Sequence, residues 1–242
     1  MAYAFNHCVE GAPRIGELLA ACFAHFESLI VPFEGGQEVV GEGDPTDNFF
    51  LVMRGMFRAV KFTRDGRRQV FAFYMPGDIC GLEPDESYKL SIEAVDSAAM
   101  AILPRHACRV RMNDDPRLDA ALFDGATRAL TLSIDHMMMI GRSSAEERLA
   151  WFLTMLTTRS CQSGHVLDLA MQRQDIADYL GLTIETVSRT FTLFRDRGYL
   201  RLPRKRRVEI LRPQALARLA AADRDAAAVF EPADMAYEPA VA

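Results

Sequence analysis

Apolar positions along this 242-residue chain change their rhythm twice. Between Ile30 and Leu103 they fall in short runs, such as Phe49-Phe-Leu-Val-Met53, Phe57-Arg-Ala-Val-Lys-Phe62 and Gln69-Val-Phe-Ala-Phe-Tyr74. Turn signals separate the runs: Gly35-Gly36, Gly41-Glu-Gly-Asp44, Gly55, Asp65-Gly66 and Pro76-Gly-Asp78. Asp65-Gly66 predicts a hairpin, because glycine accepts the positive φ that tight β-turns require. Regularly spaced short strands of this kind predict a small barrel or sandwich.

After Asp114-Asp-Pro116 the spacing becomes helical. Leu118, Leu122, Gly125, Ala129, Leu132, His136 and Met139 follow one another in alternating steps of four and three residues, the rhythm of a coiled-coil seam. The pattern predicts a helix of about seven turns whose seam meets a second copy of the chain, with packing on the barrel as the alternative. A helix merely covering a barrel shows a broader stripe. Gly125 and Ala129 leave room for two helices to approach closely. Ser143-Ser144 followed three residues later by Glu146-Glu147 predicts a capped helix start, and so a domain boundary near residue 142.

The third rhythm is the most telling. Gln174–Phe194 reads as two short helices joined by a tight turn at Gly181. On the second, Ile184, Val187, Phe191 and Phe194 share one face, while Glu185, Arg189, Thr192 and Asp196 lie opposite and Ser188 on the flank. This is the build of a helix-turn-helix, whose second helix enters the DNA major groove. Glu185 suits a cytosine N4 amino group, and Arg189 suits guanine O6 and N7. A surface Glu185–Arg189 pair on an ordinary helix is the competing reading. Beyond Gly198, two short strands flanking Pro203–Arg207 predict a wing. Its Arg204, Lys205, Arg206 and Arg207 suit phosphates.

Charge sharpens this picture. The chain carries a net −5, yet residues 183–212 hold nine basic and three acidic side chains. Positive charge is thus concentrated where the helix-turn-helix ends. Half the residues are hydrophobic and a quarter charged, a soluble globular balance. No apolar run approaches the ~20 residues of a membrane span, and no export signal opens the chain, so a cytoplasmic protein is expected. Five cysteines at irregular positions, 8, 22, 80, 108 and 161, make no disulfide framework. Cys161, beside Arg159, is the candidate reactive thiol. Cupin-type catalysis on a small barrel needs a His-x-His pair on the strands; the predicted strands contain no histidine, so an enzyme is not expected.

The order of barrel, long helix and winged helix-turn-helix over roughly residues 25–215 resembles the Crp/Fnr family of bacterial transcription regulators. The segment Ala177-Asp-Tyr-Leu-Gly-Leu-Thr-Ile-Glu-Thr-Val-Ser-Arg189 is similar to the Fnr/FixK branch, which carries Glu-x-x-Ser-Arg in its recognition helix; the cyclic-AMP-responsive branch has Arg where this chain has Ile184. The resemblance implies an α+β fold in four parts: a cyclic-nucleotide-binding-like β-barrel of jelly-roll type with an N-terminal helical segment (1–112), a dimerisation helix (113–142), a winged helix-turn-helix (143–220) and a disordered tail (221–242). It implies that Glu185, Ser188 and Arg189 read a TTGAT-type half-site, with Thr183, Thr192 and the wing on the backbone. Two inverted half-sites then match a twofold homodimer, and RNA polymerase is the expected protein partner.

The same resemblance directs attention to the phosphate cassette, where nucleotide-binding members pair an Arg-Ser with the cyclic phosphate. Here Tyr88-Lys89 takes that place, among Glu83, Asp85 and Glu86. Oxygen-sensing members hold an iron–sulfur cluster on four cysteines, three of them clustered near the N-terminus; only Cys8 and Cys22 lie there. None of His7, His25, His106, His136 and His165 sits in a haem-attachment motif. The expectation is a FixK-like activator without cofactor or metal, serving low-oxygen or nitrogen-oxide metabolism. A haem- or redox-responsive sensor of the same family is the alternative.

Overall fold

The computed structural model describes residues 29–142, 144–159 and 165–221. The expected N-terminal helical segment, Cys8, Cys22, Cys161 and the tail lie outside them. The first described part is two antiparallel sheets. Strands β1 (Ile30–Phe33), β8 (Ala98–Pro104), β3 (Asn48–Arg54) and β6 (Ile79–Cys80) form one. Strands β2 (Glu38–Val40), β7 (Ser91–Ala94), β4 (Phe57–Phe62) and β5 (Arg68–Tyr74) form the other. Phe50, Val52, Phe57, Ile92 and Met100 fill the space between them. The Asp65-Gly66 turn joins β4 to β5, with Gly66 at φ 80°. At Gly55, between β3 and β4, φ is 74° and an added Cβ would come within 2.6 Å of the Ala98 Cβ. Only glycine fits there.

Helix α1 (Arg105–Asp114) leads into the long helix α2 (Pro116–Arg142), which opens on a proline, as first helical positions favour. Helix α3 (Ala145–Arg159) follows, begun by the expected reciprocal cap: Ser144 N donates to Glu147 Oε2 at 2.7 Å, and Glu147 N to Ser144 Oγ at 3.3 Å. Then come β9 (Val166–Asp168), α4 (Arg173–Leu180), α5 (Ile184–Asp196), β10 (Leu200–Arg204), β11 (Arg207–Ile210) and α6 (Pro213–Ala221). None of the described helices is long and apolar enough to cross a membrane.

Within the chain, the residues of the expected α2 seam pack as the alternative reading has it. Leu118 and Leu122 pack with Leu51, Ile79 and Leu103 of the barrel. A Cβ on Gly125 would stand 3.1 Å from Ile79 Cδ1, so this glycine lets the helix lie close on its own barrel. Ala129 and Leu132 line a cavity against β5, His136 stacks on Tyr179, and Met139 joins the core of the C-terminal half. All seven residues therefore face their own chain. A second stripe in the same rhythm, Phe123, Thr127, Leu130, Ile134 and Met137, points outward. Phe123 is 70% exposed, Leu130 61% and Met137 64%. The Thr127 hydroxyl donates to Phe123 O at 2.9 Å, so it adds no unmet polar group to the stripe.

One core runs across the two halves. Val60, Val70 and Phe73 of the barrel share it with Phe152, Leu153, Ile176, Tyr179, Phe191 and Phe194. Above it, charged groups grip α4. Arg58 donates to Glu93 and, at 2.8 Å, to Asp175 Oδ1. Arg68 reaches Asp175 and Asp178. Asp175 is buried, and its other oxygen accepts from Gln172 N, capping α4.

Candidate nucleic-acid interface

Helix α4 ends where Gly181 takes φ 62° and ψ 39°, the left-handed conformation that reverses the chain. Thr183 then caps α5, its Oγ accepting from Thr186 N at 3.2 Å. Val187, Phe191 and Phe194 turn inward as their spacing predicts. Thr190 joins them, its hydroxyl bonded back to Thr186 O at 2.8 Å. Ile184 departs from expectation: it sits at the edge of the apolar face and is 36% exposed.

Thr183, Glu185, Ser188, Arg189 and Thr192 are all exposed on α5. Neither Glu185 nor Arg189 is tied up in an ion pair with a described residue, so the competing surface-pair reading has no support. A carboxylate acceptor and a guanidinium donor one helical turn apart are free to meet the edges of bases. In the wing, β10 and β11 pair antiparallel, and the turn is Lys205-Arg206. Pro203 is tolerated because β10 is the outer strand of the β10-β11-β9 sheet. Arg204, Lys205 and Arg206 are exposed; Arg206 donates to Ala170 O at 3.3 Å, and the half-buried Arg207 pairs with Asp168 at 3.4 Å. Two of the four basic residues thus also contact their own fold.

Sequence spacing missed a basic residue packed between the two helices. The Arg173 guanidinium lies over the Phe191 ring, 3.2 Å from its centroid, and burial pulls its pKa down to about 10. A cation in the first turn of a helix opposes the helix dipole, and that mismatch is the one signal the sequence offered.

The barrel cassette is occupied by its own side chains. Tyr88 is buried, its ring 5.9 Å from that of Phe50, and its hydroxyl donates to Asn48 O at 2.6 Å. Lys89 points outward and pairs with Asp85 at 2.6 Å. Where β5, α2 and Tyr179 meet, a cavity of about 80 Å³ remains, and an open cleft of about 410 Å³ lies among Leu132, Trp151, Thr154, Thr158 and Ala217. Among the described residues no cluster of metal-ligating side chains occurs. Cys80 and Cys108 are both buried, which pushes the Cys80 thiol well above its ordinary pKa and that of Cys108 up to about 11. Since the thiolate is the reactive form, a thiol reagent is expected to leave both unmodified in the folded protein and to label them after denaturation. Mass mapping of the labelled peptides checks this, and rapid native labelling of either would contradict their burial.

Comparison with known proteins agrees with this geometry. Residues 30–115 match the cyclic nucleotide-binding domain family, and residues 147–219 the Crp-like helix-turn-helix domain family. The chain is 41% identical over 191 residues to the nitrogen fixation regulation protein FixK of Azorhizobium caulinodans, covering 77% of each protein. It is 37% identical over 224 residues to the transcriptional activatory protein AadR of Rhodopseudomonas palustris, covering 90% of this chain and 93% of that one. Among solved structures, FixK2 from Bradyrhizobium japonicum superposes with a TM-score of 0.74 at 34% identity, covering 78% of this chain and 96% of the other.

Proposed function

The chain belongs to the Crp/Fnr family of transcription regulators, in its FixK-like branch, and from this premise we propose that it is an activator that binds an inverted TTGAT-type site as a homodimer, without a cyclic nucleotide. The observation that carries the reading is α5, which buries one face in the domain core and leaves Glu185, Ser188 and Arg189 exposed and uncommitted. Thr183, Thr192 and the wing residues Arg204, Lys205, Arg206 and Arg207 serve the DNA backbone. The outward stripe Phe123–Met137 supplies the dimer face in place of the inward one. The filled cassette and the grip of Arg58 and Arg68 on α4 support a reading head held in position by the protein alone. Recruitment of RNA polymerase to genes of low-oxygen or nitrogen-oxide metabolism, in the cytoplasm, completes the proposal.

Each good bidentate base contact contributes roughly 1–3 kcal/mol of discrimination. Glu185→Ala and Arg189→Ala are therefore expected to lose about tenfold or more in preference for the TTGAT-type site over one with its G·C pair exchanged. Their weak, salt-sensitive binding to unrelated DNA is expected to persist. Fluorescence anisotropy with the two duplexes measures both. If the variants keep the wild-type preference, base reading does not reside in these two side chains.

A further inference from the structure

The last turn of a helix leaves its carbonyl groups without partners inside that helix. Three successive carbonyls, the last two of α4 and that of its Gly181 cap, lie against side chains from other helices. Tyr179 O accepts at 2.8 Å from Nε2 of His136 on α2. Leu180 O accepts at 2.9 Å from Nη1 of Arg148 on α3, and Gly181 O lies 3.5 Å from the same nitrogen. The other arm of that guanidinium, Nη2, donates at 2.8 Å to Ile140 O in the last turn of α2. One planar side chain thus spans the ends of two helices. Gly181 is favoured there by its φ of 62°, and even an added Cβ would stand in ordinary contact with Arg148 Nη1, 3.5 Å away. One turn back along α2, His136 stacks on Tyr179, 3.9 Å away, and Trp151 lies beside both rings, 6.1 Å from His136 and 6.3 Å from Tyr179.

The geometry points to Arg148 as a positioning residue that selects the separation between half-sites. We propose this on the reading, given above, that the protein is a dimer joined along Phe123–Met137 and binds two inverted half-sites. Helix α2 then runs along the dimer axis, and α5 begins just beyond the turn that Arg148 holds. Any swing of α4 and α5 about the end of α2 changes the distance between the two recognition helices. A guanidinium bonded to both helix ends restrains that swing, because its donors sit in a rigid fork. Two tethered heads bind more tightly than one only when both reach their sites together, so a firm joint gives a sharp dependence on spacing.

The test measures affinity for a series of duplexes in which the spacer between half-sites is shortened or lengthened by about one to three base pairs, and for a single half-site. The wild-type profile is expected to peak sharply. Arg148→Met, which keeps the stem and removes the fork, is expected to flatten it, reducing the preference for the best spacing by about tenfold while leaving single half-site affinity unchanged. Arg148→Lys keeps the charge but reaches only one helix end; it folds more readily and is expected to flatten the profile less. Equal loss on every duplex, the single half-site included, would show a merely structural role and overturn the proposal. So would a folded Lys variant with the wild-type profile. A flat wild-type profile would instead defeat the two-site reading on which the proposal rests.

Discussion

Leu130→Asp combined with Ile134→Asp is expected to give a folded monomer that has lost about a hundredfold in affinity for the inverted site. The reasoning starts from exposure. A helix of 27 residues buries one heptad stripe on its own chain and leaves a second open to water. Burying a large apolar side chain contributes about 1.5–3 kcal/mol, and each protomer offers Phe123, Leu130, Ile134 and Met137 to the seam. Carboxylates at the centre of such a seam are desolvated and face their own copies across the twofold axis, which association cannot tolerate. Because the two positions are already 61% and 43% exposed, the isolated subunit is expected to fold as before. Sedimentation velocity reads the mass, and anisotropy reads the affinity. A variant that sediments as a dimer at micromolar concentration would remove this stripe from consideration as the interface.

The second large effect belongs to Asp175. Its carboxylate is buried, caps α4 and receives Arg58 and Arg68 from the barrel. Breaking a buried ion pair from one side costs about 3–5 kcal/mol. Here Glu93 and Asp178 keep a partner for each arginine, so Asp175→Ala is expected near the lower limit, about 3 kcal/mol. In a chain of this size that lowers the melting temperature by roughly 6–12 °C. Asp175→Asn keeps an oxygen for the cap but not the charge, and is expected to recover only about 1 kcal/mol. Thermal unfolding followed by circular dichroism separates the three proteins. Coincident curves would mean that the grip of the barrel on α4 has no energetic weight.

Local devices were the legible part of this molecule. Asp65-Gly66 marked its hairpin, and Ser144 with Glu147 marked the start of α3, because each signal and its cause lie within a few residues. The same holds for Gly181, Thr183 and the inward Val187, Phe191 and Phe194, which together announced the reading head. What the sequence could not convey was what stands opposite a surface. Two stripes on α2 share one heptad rhythm, and period alone does not say which meets the barrel and which meets a partner. Ile184 obeys the apolar rhythm of α5 but falls at the edge of the apolar face, where its neighbours cover it only in part. The Arg58–Asp175 contact joins positions 117 residues apart, and an ion pair of that range leaves no periodic trace. Arg173 under Phe191 was hidden for a similar reason, since its partner belongs to the next helix.

The core that joins Val60, Val70 and Phe73 to Tyr179 and Phe191 bears on how such a chain can change over generations. Its two named domains do not have separate interiors, so neither is free to drift alone. A substitution on the outer face of the barrel is felt beneath the recognition helix, and a replacement of the reading head must also suit the barrel that carries it. The two halves must therefore fit each other, and residues that never approach DNA help to seat the recognition helix.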